Sequence, residues 1–253
     1  MYKNFIFDLY GTLVDIHTNE YSNVFWKKIA SLFHCYGAAY APTEIKNAYD
    51  EILPQTGTVS DCDYPEYDVV ETFYRMLQKK KPDATVEEAR SIAYAFRTIS
   101  RHRLKLYKGV TDCLSDIKAH GKSVFLLSNA QESFTGPELS ILGLTGYFDK
   151  IYLSSCYGVK KPDKRYYQTL ITNEHLNPKE CLMVGNDPSA DVGGASSIGM
   201  DTLYFHSNLS EGLTPPDNAT YSVLDGDFMN VYSIIKKCLD WLIHKNSKLT
   251  KNI

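Results

Sequence analysis

Short apolar runs that end in a polar or charged residue are the main feature of the hydrophobic pattern. The first, Asn4-Phe5-Ile6-Phe7, ends at Asp8, and Gly11 follows shortly afterwards. A short run rich in aromatic and β-branched residues and broken by glycine is typical of a buried parallel strand and its exit loop. We therefore expect Asp8 at the carboxyl edge of a sheet, where open α/β folds bind ligands. The alternative is that Asp8 caps the amino end of a helix.

Two later apolar runs end in polar residues in the same way. Val124-Phe125-Leu126-Leu127 stops at Ser128 and Asn129, just before helix-like sequence, where backbone N–H groups bind anions. This arrangement predicts a site for a phosphate or a carboxylate. The run Leu182-Met183-Val184-Gly185 is followed by Asn186-Asp187-Pro188-Ser189-Ala190-Asp191, so two more carboxylates face the same edge. A cation is predicted between these two runs, because Lys161 precedes Pro162 at a junction between a loop and a helix.

The rest of the pattern alternates strands with helices, except between residues 17 and 105, where the period is helical. The alternation predicts a parallel, doubly wound α/β sheet, with strands at 150–154, 202–205 and 221–224 and a final helix at 232–244. In the helical stretch we predict helices at 21–36, from Pro42, at 67–80, and from Thr85 towards Tyr107. Thr85 and Glu88 have the spacing of a capping box. We expect an α/β core domain formed by 1–16 and 106–253 and an inserted helical domain formed by 17–105.

Taken in chain order, these motifs resemble those of the haloacid dehalogenase-like hydrolase superfamily. The resemblance covers residues 1 to about 14 and 108 to about 202. It implies a Rossmann-like core with a helical cap inserted after the first motif, and such a cap excludes water and selects the substrate. It also implies roles for individual residues: Asp8 as nucleophile, Thr12 and Ser128 as hydrogen-bond donors, Lys161 as charge stabiliser, and Asp187 or Asp191 as acids of a metal site.

These residue types suit hydrolysis through a covalent aspartyl intermediate. A carboxylate nucleophile divides one difficult hydrolysis into two easier steps. Attack by an anion on an anionic phosphoryl group needs a metal and a lysine to reduce the repulsion. Mg²⁺ prefers oxygen ligands, which would come from Asp8, the backbone carbonyl of Tyr10, and Asp187 or Asp191. The candidate substrate-binding residues are Ser128, Asn129 and Lys161.

Two positions depart from the family's phosphatase pattern. Tyr10 stands where such phosphatases usually carry a second aspartate, which acts as general acid and base, whereas a phenol with a pKa of about 10 is a weak acid. Tyrosine at this position resembles the 2-haloacid dehalogenases, whose halide leaving group needs no proton and which need no metal. Asn186 replaces the first acid of the last motif.

The dehalogenase interpretation meets an obstacle, because such enzymes hold the halide with an arginine soon after the first motif. This chain has no arginine before Arg75, and we interpret the later ones as parts of solvated helix faces: Arg75, Arg97, Arg101 and Arg103. Tyr167 matches a tyrosine of the dehalogenase site, although packing against the core explains it equally well. The paired acids Asp187 and Asp191 favour a Mg²⁺-dependent phosphatase of a small phosphorylated metabolite. The alternatives are a metal-free 2-haloacid dehalogenase and a binding protein for phosphorylated metabolites with weakened catalysis.

The loop 56–67 inside the helical domain is acidic, with Asp61, Asp63 and Glu66. We interpret it as a solvated connection between helices. If it faced the site instead, it would disfavour highly anionic substrates and favour substrates with hydroxyl or amine groups.

Composition excludes several other classes of protein. The chain has 253 residues and a net charge of −3, which argues against a general nucleic-acid surface. Its six cysteines lack metal-ligand spacing and are typical of reduced thiols. No apolar stretch is long enough to cross a bilayer, and no leader precedes the first strand. We expect a cytoplasmic monomer or homodimer that binds Mg²⁺ and a small phosphorylated substrate, and neither nucleic acid nor membrane.

Overall fold

A parallel sheet forms the centre of the computed structural model, which describes residues 1–57, 61–210, 212 and 214–249, with side chains up to residue 240. Its strands are β1 (Asn4–Phe7), β4 (Ser123–Ser128), β5 (Lys150–Leu153), β6 (Cys181–Gly185), β7 (Asp201–Phe205) and β8 (Tyr221–Val223). They lie in the order β5-β4-β1-β6-β7-β8, and every neighbouring pair is parallel. The predicted doubly wound α/β fold is confirmed.

Nine helices accompany the strands in the described part of the chain. They are α1 (Asn23–Cys35), α2 (Pro42–Ile52), α3 (Val69–Gln78), α4 (Val86–Ser100), α5 (Val110–Ala119), α6 (Glu132–Ile141), α7 (Lys164–Asn173), α8 (Gly194–Ser196) and α9 (Phe228–Leu249). The last helix extends beyond the predicted 232–244 at both ends. Within the described residues, no helix combines the length and the apolar character that crossing a bilayer requires.

The sheet is buried on both faces, which explains why its strands are almost continuously apolar. Phe5 and Phe7 of β1 pack in a hydrophobic core with residues of α5 and α9. Ile6, which points the other way, packs in a second core with residues of α7. Because β1 lies between β4 and β6, the residues that follow these three strands meet at one edge of the sheet.

The helices α1 to α4 form a separate hydrophobic core that is rich in aromatic rings. Phe25, Phe33, Phe73 and Phe96 are all buried there. Thr85 and Glu88 form the predicted capping box at the start of α4, since each side chain bonds the other residue's backbone N–H. We retain, as a proposal, the helical domain formed by 17–105 and the α/β core domain formed by 1–16 and 106–253.

A two-stranded ribbon, which we did not predict, connects the four helices to the sheet. The helix that begins after Thr85 ends at Ser100 instead of continuing towards Tyr107, so the prediction is wrong for that stretch. Residues Arg101–Leu106 form strand β3, which pairs antiparallel with β2 (Val14–Thr18). The physical reason is the alternation of charged and apolar residues in β3, a period of two that suits a half-exposed strand. Both proposed domain boundaries, 16/17 and 105/106, fall inside this ribbon.

Candidate active site

Asp8 lies where β1 leaves the sheet. Its backbone N–H donates to the carbonyl of Val184 at 2.9 Å, and the residue is only 7% exposed. Gly11, with φ +83°, then turns the chain, and a Cβ there would lie 2.7 Å from the side-chain nitrogen of Asn186. The next element is the strand β2, so the alternative that Asp8 caps a helix is wrong.

A buried lysine holds two carboxylates at this edge. The ammonium of Lys161 donates to Asp8 Oδ1 at 2.8 Å, to Asp191 Oδ1 at 2.7 Å and to the carbonyl of Leu127 at 2.8 Å. Burial opposes the charge of Lys161, but attraction by Asp191 and Asp8 is stronger and raises the pKa of the lysine. All three N–H groups of the ammonium therefore have partners, and the lysine remains charged.

Hydroxyl groups surround the carboxylate of Asp8. Ser128, the last residue of β4, donates from Oγ to Asp8 Oδ1 at 3.1 Å. The hydroxyl of Thr12 lies 3.3 Å from Asp8 Oδ2 and 3.2 Å from the side-chain oxygen of Asn186. Asn129 instead pairs with the backbone of Lys161, accepting from its N–H at 2.8 Å and donating to its carbonyl at 2.9 Å. Asn129 thus holds the chain segment that carries the lysine.

The acidic loop after β6 forms a single π-helical turn, Pro188–Gly193. Exposed Asp187 caps this turn, accepting from the N–H groups of Ser189 and Ala190. Asp191 is buried, accepts from the Asp187 N–H at 2.9 Å through Oδ2, and has its pKa raised by that burial. A Cβ at Gly185 would lie 2.2 Å from the Asp191 side chain, so the absence of a side chain at Gly185 makes room for this carboxylate.

These groups line a cavity of about 150 Å³, formed by Asp8, Tyr10, Ser128, Asn129, Lys161, Asn186, Asp187, Ala190 and Asp191. Carboxylate and amide oxygens are the ligands that Mg²⁺ prefers, so the residues present fit such an ion. Among the described residues, no group of three or more His, Cys, Asp or Glu side chains is arranged as a metal cluster. An ion bound here would therefore also need oxygens from the backbone or from water.

Tyr10 lines the cavity, but its hydroxyl is bound elsewhere. It hydrogen-bonds to Glu138 of α6 and lies 3.0 Å from the hydroxyl of Thr135. Burial, and secondly the negative charge of Glu138, raise the pKa of Tyr10 far above its ordinary value. The phenol is therefore neutral and donates its proton to Glu138.

Two of the four arginines interpreted as solvated are not. Arg97 and Arg101 have side chains only 12% and 20% exposed, and both bind Glu138, at 2.8 and 2.9 Å. The guanidinium of Arg97 also lies 5.2 Å from the centre of the Tyr10 ring. The interpretation was wrong because α4, which carries Arg97, packs against α6, and Arg101 follows directly at the start of β3 and reaches the same carboxylate. It is right for Arg75, which is exposed on α3, whereas Arg103 is exposed but lies on the strand β3 and not on a helix.

The interpretation of the acidic loop as a solvated connection is wrong for Glu66 and right for Asp61 and Asp63, while 58–60 lie outside the described residues. Glu66 is buried, accepts from the Tyr67 N–H at 3.0 Å and from Gln131 Nε2 at 3.2 Å, and is bonded by the Ser154 hydroxyl. The loop is held against the core because Pro65 forms a β-bridge with Val159. Backbone bonds flank this bridge, from Glu66 N–H to the Gly158 carbonyl at 3.0 Å and from Lys160 N–H to the Tyr64 carbonyl at 3.1 Å.

Several residues near the site were not predicted from the sequence, and for Tyr167 a role in the site and packing in the core were both left open. Glu138 gave no signal, since an acid on a helix is ordinarily solvated. Lys160 did give a signal in the sequence, because it directly precedes the predicted site residue Lys161. Tyr167 is fully buried in the second core, and its hydroxyl donates to the Ala190 carbonyl, so it supports the π-helical turn from behind.

Curated relatives with similar sequences are named as phosphatases. The phosphoserine phosphatase of Thermus thermophilus is 30% identical over 147 residues, 58% of this chain and 57% of that protein. The glyceraldehyde 3-phosphate phosphatase of Methanothermobacter thermautotrophicus is 24% identical over 244 residues, 94% of this chain and 100% of that protein. The first match thus spans little more than half of its relative, whereas the second spans all of it.

Solved structures show the same fold. A 2-haloacid dehalogenase from Pseudomonas syringae superposes with a TM-score of 0.61 at 17% identity, covering 92% of this chain and 99% of that one. A HAD phosphatase from Thermococcus onnurineus gives a TM-score of 0.59 at 17% identity, covering 92% and 97%. The same fold therefore occurs in proteins named as dehalogenases and in proteins named as phosphatases. A family model described as haloacid dehalogenase-like hydrolase matches residues 2–199, most of the chain. This protein belongs to the haloacid dehalogenase-like hydrolases.

Proposed function

We propose that this chain is a phosphatase that hydrolyses small phosphomonoesters, with Asp8 as nucleophile and Mg²⁺ as cofactor. The observation that carries the proposal is the buried Lys161 ammonium, bonded to both Asp8 and Asp191 beside a small cavity. A protein that only binds phosphate has no need of a carboxylate that is held by a buried ammonium beside a cavity. The phosphatase names of relatives from several organisms support the same reaction class.

Asp8 carries the covalent step. One of its carboxylate oxygens forms a bond to phosphorus, and the bond from phosphorus to the alcohol oxygen breaks. The donors Lys161 and Ser128 already contact Asp8 Oδ1, so they lie where they can stabilise the phosphoryl oxygens. Water then attacks the aspartyl phosphate, which releases inorganic phosphate and restores the carboxylate.

The residues that would hold Mg²⁺ are Asp8, the Tyr10 backbone carbonyl, Asp187 and Asp191. When bound, Mg²⁺ would supply positive charge that offsets the repulsion between the carboxylate and the phosphate. Asp191 also keeps Lys161 in place, and Thr12 bridges Asp8 and Asn186. Asn129 positions the Lys161 segment through its two backbone bonds.

The leaving oxygen departs as an alkoxide or phenolate and takes its proton from solvent, without help from Tyr10. Its hydroxyl is bonded to Glu138 and its pKa is raised, so it is a poor proton donor to a leaving group. Leaving groups that need no proton, such as phenolates, should therefore react fastest.

A 2-haloacid dehalogenase is the second candidate. The observation that favours it is Arg97, which lies over the Tyr10 ring at the edge of the site, where a halide or a carboxylate would need a cation. The paired acids Asp187 and Asp191 have less use in such a metal-free reaction. A phosphate-metabolite binding protein without turnover is the third candidate.

Hydrolysis of p-nitrophenyl phosphate with Mg²⁺, and with a chelator in its place, tests the proposal. We expect turnover that requires the metal, and an acyl phosphate on Asp8 that mass spectrometry detects after rapid acid quench. Asp8→Asn should abolish turnover, whereas Asp112→Asn, the same change at an exposed position on α5, should have no effect.

The alternatives predict different results in the same assays. Halide release from 2-chloropropionate, lost in Asp8→Asn and insensitive to the chelator, would replace the phosphatase proposal with the dehalogenase one. Phosphate binding without turnover of any substrate would favour the binding protein. Near wild-type turnover by Asp8→Asn would reject Asp8 as the nucleophile.

A further inference from the structure

A second cavity, of about 380 Å³, lies beside the first. The two share Tyr10 and Asn129, so a molecule with its phosphate at Asp8 would extend its leaving group into the second cavity. We call this space the leaving-group cavity. Its charged lining residues in the described part of the chain are Glu66, Arg97 and Lys160.

Lys160 supplies a cation that no described carboxylate neutralises. The side chain is half-buried, and no carboxylate among the described residues forms an ion pair with it within 4.0 Å. Its ammonium lies 5.4 Å from the centre of the Tyr67 ring, a favourable but weak contact. Its backbone N–H is bonded to the Tyr64 carbonyl, and the next residue is Lys161. The backbone of Lys160 is thus held at a set place relative to the reaction centre, and its side chain lines the leaving-group cavity.

Arg97 adds a second cation on the opposite element, α4. Its guanidinium lies between the rings of Tyr10 and Phe134, and its Nε and Nη2 bond to Glu138. Nη1 has no hydrogen bond to any described residue. Glu138 also binds Arg101, so this carboxylate is shared between two cations. Glu20 also feels the Arg97 charge, but it does not line the cavity.

Glu66 is the opposing charge in the described lining, and its oxygens are already engaged. Oε1 accepts from the Tyr67 N–H and from Gln131, and Oε2 accepts from the Ser154 hydroxyl. These neutral donors join the loop to the core and leave little free capacity for a substrate cation. Among its described lining residues, the cavity therefore offers one cation without a carboxylate partner, Lys160, and one carboxylate, Glu66, whose oxygens already accept from neutral donors.

We propose that the leaving-group cavity binds a carboxylate, so that among alkyl phosphates the preferred substrates are phosphomonoesters of small hydroxy acids, with Lys160 as the specificity residue. This inference rests on the proposed phosphatase function. Lys160 contacts the carboxylate directly, and Arg97 adds attraction from the other side. A charge-assisted hydrogen bond in a half-buried cavity is stronger than one between neutral groups.

Binding of phosphonates, which resemble the substrate but resist hydrolysis, tests this inference on the full chain with Mg²⁺. Isothermal titration would compare phosphonoacetate, 2-aminoethylphosphonate and propylphosphonate. We expect phosphonoacetate to bind about tenfold more tightly than propylphosphonate, as one charge-assisted hydrogen bond implies. Lys160→Met should remove that difference. Lys164→Met, the same change at an exposed position of α7 that lines neither cavity, should keep it.

Several results would overturn the inference. They are equal affinity for phosphonoacetate and propylphosphonate, tighter binding of 2-aminoethylphosphonate, a preference that survives Lys160→Met, and failure of phosphonoacetate to bind. Turnover of p-nitrophenyl phosphate in the same preparation separates the two proposals. If turnover persists, the phosphatase function stands and only the carboxylate preference falls.

Discussion

The hydroxyl of Tyr10 is bonded to Glu138 on α6, although the residue is only two positions beyond Asp8. The resemblance of the motifs implies a general acid at this position, but the proton of Tyr10 points to a carboxylate that two arginines also bind. Tyr10 therefore takes part in the contacts between α4 and α6.

Replacing Tyr10 by phenylalanine tests whether the phenol donates a proton. We expect Tyr10→Phe to leave the ratio of turnover on an alkyl phosphate to turnover on an aryl phosphate unchanged, since the hydroxyl serves Glu138. General acid catalysis contributes roughly two to four orders of magnitude. A selective loss of that size on the alkyl ester, measured by phosphate release, would show that the phenol is the acid.

Tyr10→Asp, unlike Tyr10→Phe, should increase the turnover of alkyl phosphates. A carboxyl group is a much stronger acid than a phenol, and a general acid must give its proton to the leaving oxygen. We expect turnover of an alkyl phosphate to rise relative to p-nitrophenyl phosphate. An unchanged ratio would mean that a different group supplies the proton.

Lys161→Met should damage both catalysis and stability. Two carboxylates would lose their shared ammonium, and breaking such a buried pair costs about 3 kcal/mol. Loss of a donor to the developing charge should lower kcat about 100-fold or more. Urea denaturation and p-nitrophenyl phosphate turnover measure the two effects. Lys164→Met is the matched control, and a kcat within twofold of wild type for Lys161→Met would contradict the role.

Glu138→Gln should make the protein less stable in a manner that depends on pH. Burial opposes ionisation of Glu138, but the hydrogen bonds and charge of Arg97, with Tyr10 and Arg101, outweigh it and lower its pKa. A lowered pKa means that the carboxylate stabilises the fold above the ordinary value of 4.5, and that this stability is lost as the pH falls below it. We expect a loss of about 3 kcal/mol at neutral pH and a much smaller one in acid.

Glu132→Gln provides the comparison for that experiment, because Glu132 starts the same helix but has a side chain 52% exposed. Urea denaturation should give a change below about 0.5 kcal/mol for this variant. A loss for Glu138→Gln that does not vary with pH would contradict the ion-pair explanation.

Gly185→Ala should disturb the site through packing alone. The added methyl group would lie 2.2 Å from the side chain of Asp191, so the carboxylate must move away from Lys161. We expect a destabilisation of about 2 kcal/mol, typical of overpacking, and a fall in turnover. Gly146→Ala is the control, because a Cβ there has no neighbour within 4 Å. Equal thermal stability and activity in the two variants would contradict this explanation.

The sequence predicted the sheet and the residues at its edge because each depends on local features. A buried strand that ends in a polar residue is visible along the chain, and parallel neighbours bring such ends together. The contact between Asp8 and Lys161, 153 positions apart, followed from the order of the motifs.

Contacts between the inserted helices and the core could not be predicted in this way. The pair Arg97 and Glu138 exists because α4 packs on α6, and nothing in either helix alone distinguishes these charges from solvated ones. The strand β3 was missed because its charged residues also suit a helix surface. Its partner β2 is more than 80 residues away, so the pairing that decides its structure is not local.

The bridge between Pro65 and Val159 joins the inserted helical stretch to the chain segment that leads to Lys161. Moving the four helices outward would break the backbone bonds to Gly158 and Lys160, and the freed segment leads directly to Lys161. Lys161 itself is held separately, by the two bonds between its backbone and Asn129. One short segment, 159–161, therefore carries both the contact that holds the inserted stretch against the core and the lysine of the reaction centre.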